Sequence, residues 1–228
     1  MIERLRMLLQ PLSRESPVKN TGCSEFEVDN WAVSRFVSRK LVPQVGVHPF
    51  PLNELMLMVA AVCWLRPPQI FDWGTNVGKS ARIFYECTSH YRIDAEIHST
   101  DLPDNVDHLE HPGHKRGKLV RGLPRVHLHL GDGVETSLEV WRTSGRKPHP
   151  LFLIDGDHSY DSVLRELRAI TSEAISPGIL LHDSFYQSSQ SGYNVGPHEA
   201  IEHLLREMPG RFRRLESGLG LPGMTFLH

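Results

Sequence analysis

A chain of 228 residues, 39% hydrophobic and 23% charged, is long enough for one sizeable α/β domain with a small appendage and too apolar to stay disordered. A net charge of −2 and a pI near 6.7 provide no global basic field, which argues against nucleic acid as a partner. The three cysteines, Cys23, Cys63 and Cys87, are odd in number and far apart, so neither a disulfide framework nor a cysteine metal site is expected, and a reducing cytoplasm fits. Met1–Leu12 carries Glu3, Arg4 and Arg6 and lacks the apolar core of a secretory signal. The longest apolar run, Leu55–Leu65, is about half of the ~20 residues a membrane span needs, so no membrane association is expected.

In chain order, residues 1–51 read as a helical N-terminal cap or lid. Ser24 and Glu27 have capping-box spacing, and the helix they would start carries Trp31, Phe36 and Val37 inward until Pro43, Pro49 and Pro51 interrupt it. Nothing in composition marks a lid, so extension of the core is the simpler expectation. Residues 52–228 read as the main α/β domain. Asn53–Leu65 is apolar nearly all round and suits a helix buried between layers. Strands are expected at Gln69–Asp72, Ala95–Thr100, Val126–Leu130, Leu151–Ile154 and Ile179–Leu181. Helices are expected at Gly78–Cys87, around Leu138–Trp141, from Tyr160 to Ile170, and at Glu199–Met208. Pro103–Pro124 reads as a long polar loop, and Arg211–Glu216 with Met224–Leu227 as a closing pair of strands. This alternation predicts a Rossmann-like, doubly wound, mostly parallel sheet.

Each of the five principal strands ends in an acid or a polar cluster: Asp72, Asp101, Asp132, Asp155 and His182-Asp183. Ligands of such sheets bind beyond the carboxyl ends of the strands. The first strand runs into Asp72-Trp-Gly74-Thr75-Asn76-Val-Gly78-Lys79-Ser80. A phosphate-cradling loop needs four residues between its first glycine and Gly-Lys, and here there are three. A dinucleotide fingerprint fails as well, because Asn76 stands at the second glycine and Asp72 would repel a diphosphate. A nucleoside with a positive charge and an amino-acid tail suits the turn better. Asp72 attracts its cationic end, Gly74 lets the backbone approach, Asp101 accepts from both ribose hydroxyls, and Gly131-Asp132 meets the adenine. S-adenosylmethionine is such a ligand.

The form Asp72-x-Gly74-Thr75-x-x-Gly78-x-Ser80 resembles class I S-adenosylmethionine-dependent methyltransferases, in the variant found in small O-methyltransferases. Ile154-Asp155-Gly-Asp157-His158-Ser-Tyr160 and Pro177-Gly178-x-x-x-His182-Asp183 are similar to a subgroup of sugar- and antibiotic-modifying O-methyltransferases and cephalosporin-hydroxylase-like proteins. The resemblance covers roughly Leu52 to the C-terminus. It implies methyl transfer to a hydroxyl of a small molecule or sugar, with Asp155 at the cofactor as well as in catalysis. It also implies a divalent metal, such as magnesium, held by Asp155 and the pair His182-Asp183. His182 stands where that subgroup commonly has an acid, and a histidine shifts preference toward transition metals or leaves the site without a metal. His158 is the resembled general base; its alternative is a capping role, as Asp157 has.

Two other classes stay open on the residues alone: a metal-dependent hydrolase or hydroxylase-associated protein using Asp155, His158, His182 and Asp183, and a non-catalytic cofactor-binding partner. His108, His111 and His114, and the basic cluster Lys115-Arg116-x-Lys118 with Arg121 and Arg125, read as solvated surface. Tyr186 and Tyr193 bracket a Ser/Gln-rich loop suited to substrate contact, and Trp73 and Trp141 read as packing residues. The composition leaves room for a homo-oligomer.

Overall fold

The computed structural model describes residues 12–21, 23, 25–106, 112–186, 188, 190 and 193–228. Five short strands run parallel: β1 (Gln69–Trp73), β2 (Glu96–Asp101), β3 (Val126–Leu130), β4 (Leu151–Ile154) and β5 (Gly178–His182). The hairpin β6 (Arg214–Glu216) and β7 (Met224–Leu227) joins β5 antiparallel, giving one seven-stranded sheet of order β3-β2-β1-β4-β5-β7-β6. The order reverses between β1 and β4, where the crossovers leave toward opposite faces and open a crevice beyond the strand ends.

Alternation along each strand builds two cores. On one face Ile70, Ile97, Leu151 and Leu180 meet α3 (Leu52–Leu65) and α4 (Lys79–Tyr91). On the other, Phe71, Phe152, Ile154 and Ile179 meet α5 (Gly133–Thr143), α6 (Tyr160–Glu173) and α7 (Gly196–Glu207). Central strands buried on both faces are continuous apolar runs for this reason. Edge strand β3 is half exposed and alternates with histidines.

The N-terminal segment adds α1 (Asn30–Phe36), a π-helical turn (Val37–Leu41) and α2 (Val42–Val45). Asp29 caps α1 by accepting from the N–H groups of Trp31 and Ala32; Ser24 lies outside the described residues. With the helix phased from Asp29, Val33, Phe36, Val37 and Leu41 form the buried stripe, and Trp31 falls off it at 80% exposure, contrary to the inward placement expected. Pro43 does not end the helix either. The widened π turn before it takes up the clash a proline makes with the carbonyl four residues back. The buried stripe joins the α3/α4 core.

Among the described residues, the stretch between β2 and β3 holds only a short 3₁₀ turn, Gly113–Lys115. Hydrogen bonds from Gly117 N–H to the Asn76 carbonyl (2.8 Å) and from Leu119 N–H to that of Val77 (3.0 Å) dock it on the loop after β1. Of the three histidines expected at a polar surface there, His108 and His111 lie outside the described residues, and His114 is exposed. Among the described residues, no helix is long and apolar enough to cross a membrane.

Candidate functional site

The turn after β1 lies at the reversal of strand order, and two glycines allow its shape. Gly74 has φ +87°, and a Cβ there would stand 2.3 Å from the Asp155 carbonyl oxygen. Its bare backbone is what lets the turn touch the end of β4. Gly78, also at φ +87°, starts α4. Lys79 points away, donating to the His48 carbonyl of the cap.

Asp72 is fully buried beneath this turn. The parallel register sets it against Ser99, whose hydroxyl donates to its Oδ2 at 2.6 Å. Ser99 has a single hydroxyl proton and spends it there, so Thr75 must be the donor in the 2.8 Å contact between their hydroxyls. Oδ1 of Asp72 is buried without a hydrogen-bond partner. Burial outweighs the hydroxyls of Ser99 and Ser80 and pushes its pKa up to about 7. Asp72 therefore underpins the turn from below.

Asp101 ends β2 with its carboxylate facing the same turn. Its Oδ2 accepts from Asn76 N–H at 3.1 Å and from Arg116 Nε at 3.0 Å, and its Oδ1 from Leu102 N–H at 3.0 Å. Arg116 was expected in solvent with the rest of its basic cluster. Its side chain is instead 12% exposed, while Lys115, Lys118 and Arg121 stay outside. Asp132, following Gly131, caps α5 through Glu135 N–H and pairs with Arg165 at 3.0 Å.

The second half of the site lies where β4 and β5 end. Ile154 pairs with Leu181, so Asp155 and His182 emerge side by side. His182 Nδ1 hydrogen-bonds Asp155 Oδ1 at 2.9 Å, and its Nε2 stands 3.1 Å from Oε2 of Glu54, an ion-pair distance without hydrogen-bond alignment. Glu54 is a fully buried acid on α3, and its Oε1 accepts from Gly223 N–H at 2.8 Å. Burial works against charge on His182, but Asp155 and Glu54 outweigh it and raise the pKa to about 10.

Asp183 adopts φ +56°, a left-handed conformation that few non-glycine residues take. The bend carries its Oδ2 to 2.9 Å from His158 Nε2 and 3.8 Å from His182 Nδ1, while its Oδ1 accepts from the Tyr193 hydroxyl. His158 Nε2 also lies 3.8 Å from Asp155 Oδ1 and is itself buried. Asp155 and Asp183 together raise its pKa to about 9. Burial pushes both carboxyls up, but the imidazoles win and hold them below the ordinary range: His158 then His182 at Asp155, and His158 first at Asp183.

Donor atoms of Asp155, His182 and Asp183 lie within 4.8 Å of one another, the one such cluster among the described residues. Asp157 does not cap α6 itself; Ser159 does, and Asp157 braces Ser159 through its N–H (2.9 Å) and hydroxyl (3.0 Å). A hollow of about 430 Å³ opens at the start of α6 and α7, lined by Tyr160, Tyr186, His198 and Glu199 among others. Trp73 and Trp141 are buried packing residues, as expected. Glu54, Ser99 and Arg116 are residues of the site that the sequence did not single out. The one signal for Glu54 is a lone acid in an otherwise apolar helix.

No family model and no curated protein matches the chain. Solved structures do. The SAH-bound methyltransferase PaMTH1 of Podospora anserina is 18% identical over 100% of this chain and 94% of its own, at a TM-score of 0.53. The O-methyltransferase from Bacillus cereus in complex with SAH is 13% identical, covering 86% of this chain and 90% of its own, with a TM-score of 0.56. CalS11, a TDP-rhamnose 3′-O-methyltransferase of calicheamicin biosynthesis, is 15% identical over 87% and 92% of the two chains, at 0.55. Identities this low speak to architecture, and the architecture agrees along nearly the whole chain: the protein has the fold of the O-methyltransferases.

Proposed function

We propose that the chain is an S-adenosylmethionine-dependent O-methyltransferase that acts on a hydroxyl of a small molecule or sugar. The observation that carries this reading is the meeting, at the reversal of strand order, of a cofactor-sized turn with a carboxylate–imidazole cluster. On this reading Asp72, Gly74, Thr75, Asn76, Gly78 and Ser80 form the floor for the methionine part, Asp101 holds the ribose, and Gly131-Asp132 borders the adenine. Asp155 joins the two halves, since its backbone touches Gly74 and its side chain touches His182. The sulfonium supplies an already activated methyl group.

What remains for the protein is to align the acceptor oxygen, exclude water and take a proton. We assign the last task to His158 in its neutral form, so activity should rise with pH toward about 9, where Asp155 and Asp183 let its own proton go. Its Nε2 is turned toward Asp155 and Asp183, two carboxylates that stabilise the imidazolium once the proton has arrived. Tyr193 and the strained Asp183 backbone keep one of those carboxylates in place.

The donor set fits a divalent metal. Asp155, His182 and Asp183 would hold it, with Glu54 behind His182 as carboxylates commonly stand behind ligating histidines. Such an ion would acidify the acceptor hydroxyl, and the imidazole in the set favours a transition metal over magnesium. The sugar-modifying enzyme among the similar structures and the tyrosine-lined hollow support a hydroxylated acceptor.

The test is methyl transfer from S-adenosylmethionine to a panel of hydroxylated acceptors, sugar nucleotides included, followed by mass spectrometry. An O-methyl product is expected, and His158→Ala should lower its formation by about 10²–10⁴-fold while leaving cofactor affinity unchanged. Absence of O-methylation across the panel would count against the reading. Full activity in His158→Ala would remove the base.

A further inference from the structure

A ribose offers two neighbouring hydroxyls, and a carboxylate facing it can accept from both only if each oxygen has a lone pair to give. Each carboxylate oxygen has two. Oδ2 of Asp101 already accepts two hydrogen bonds, from Asn76 N–H at 3.1 Å and from Arg116 Nε at 3.0 Å. Oδ1 accepts one, from Leu102 N–H at 3.0 Å. Asp101 as held can therefore take a single further proton, on Oδ1.

Arg116 is fixed where it does this. Its NH2 donates to the Leu102 carbonyl at 2.9 Å, its NH1 meets Asp104, and its own carbonyl accepts from Arg121 at 3.0 Å. The next residue, Gly117, donates to the carbonyl of Asn76, the residue whose N–H meets Asp101. Turn, acid and arginine thus form one closed hydrogen-bonded unit. Burying an arginine against an acid in a crevice is costly unless every group is paired; Lys115, Lys118 and Arg121 remain in solvent, and Arg125 is half-buried elsewhere, against the Ile93 carbonyl.

We propose that Arg116 is a positioning residue for the nucleoside: it saturates Oδ2 of Asp101 and leaves Oδ1 to read one ribose hydroxyl, not two. This rests on the cofactor reading above and adds a specificity that the reading does not contain. The ligand class is a nucleoside recognised by one of its two vicinal hydroxyls.

The experiment is calorimetric titration of wild type, Arg116→Gln and Arg116→Lys with S-adenosylhomocysteine and with its 2′-deoxy and 3′-deoxy forms. Wild type should lose about tenfold or more with one deoxy form and little with the other. Arg116→Gln frees a lone pair on Oδ2, so the deoxy form that wild type tolerates should now also bind about tenfold more weakly than S-adenosylhomocysteine, with Arg116→Lys between. Asp104→Asn, on a side chain 74% exposed, loosens the same arginine without threatening the fold and should show a smaller loss with that same deoxy form. Equal losses for both deoxy forms in wild type, or equal losses for all three ligands in the variants, would overturn the proposal and leave the cofactor reading standing. No binding of S-adenosylhomocysteine by wild type would overturn both.

Discussion

Asp72 carries a cost that its position explains. A carboxyl with no exposed surface, one oxygen bonded to Ser99 and the other unpartnered, is harder to ionise folded than unfolded, hence a pKa near 7 against an ordinary 3.8. A raised acid pKa means that the folded state binds its proton more tightly. Stability therefore falls as pH rises from about 4 through about 7, by up to about 4 kcal/mol for this group. Asp72→Asn should remove that fall: melting temperatures above pH 7 should rise relative to wild type, with the gain vanishing near pH 4. Parallel melting curves at all pH values would contradict this. That a chain keeps a destabilising acid under the turn proposed for the cofactor is what a functional residue would look like.

At the scale of the elements, the edge pair β2/β3 is built differently from the centre of the sheet. His98 stacks on Phe71, its Nδ1 lies 3.1 Å from His129 Nε2, and the His127 ring stacks on it 4.8 Å away. Burial first, then the neighbouring imidazoles, lowers its pKa to about 4. A histidine kept neutral in the fold loses stability as pH falls below its unfolded value near 6.5, until about pH 4. After allowance for solvent near this edge, the loss is about 2 kcal/mol. His98→Phe keeps the ring and removes the titration, so its acid unfolding midpoint should move to lower pH. An unmoved midpoint would show that other groups set the acid limit.

The sheet and the turn were legible in the sequence because both depend on local spacing. Apolar runs ending in acids announce parallel strands with a ligand edge, and the distance between Gly74 and Gly78 excluded two phosphate motifs. Elements were found with their ends displaced: α5 extends to Gly133–Thr143 because Asp132 caps it, and α4 runs on to Tyr91 before Arg92 turns left-handed. The misread residues depend on contacts between distant segments. Glu54 looks like a flaw in an apolar helix until β5 brings His182 to it. Arg116 looks like any solvated charge until Gly117 and Leu119 dock on the turn. Trp31 was placed inward from a helix phase that the true cap, Asp29, rotates away.

For the molecule as a whole, the two halves of the crevice share one residue, Asp155, whose backbone abuts the Gly74 turn and whose side chain enters the imidazole cluster. Cofactor and acceptor would then meet across a single strand end, the closeness that methyl transfer requires. Everything proposed here depends on the nucleoside occupying that turn. The most direct measurement is calorimetric titration of the purified protein with S-adenosylhomocysteine, beside Asp101→Ala at equal thermal stability. The expected result is saturable one-site binding by wild type and a loss of about tenfold or more in the variant. No binding by wild type, or undiminished binding by Asp101→Ala, would contradict it.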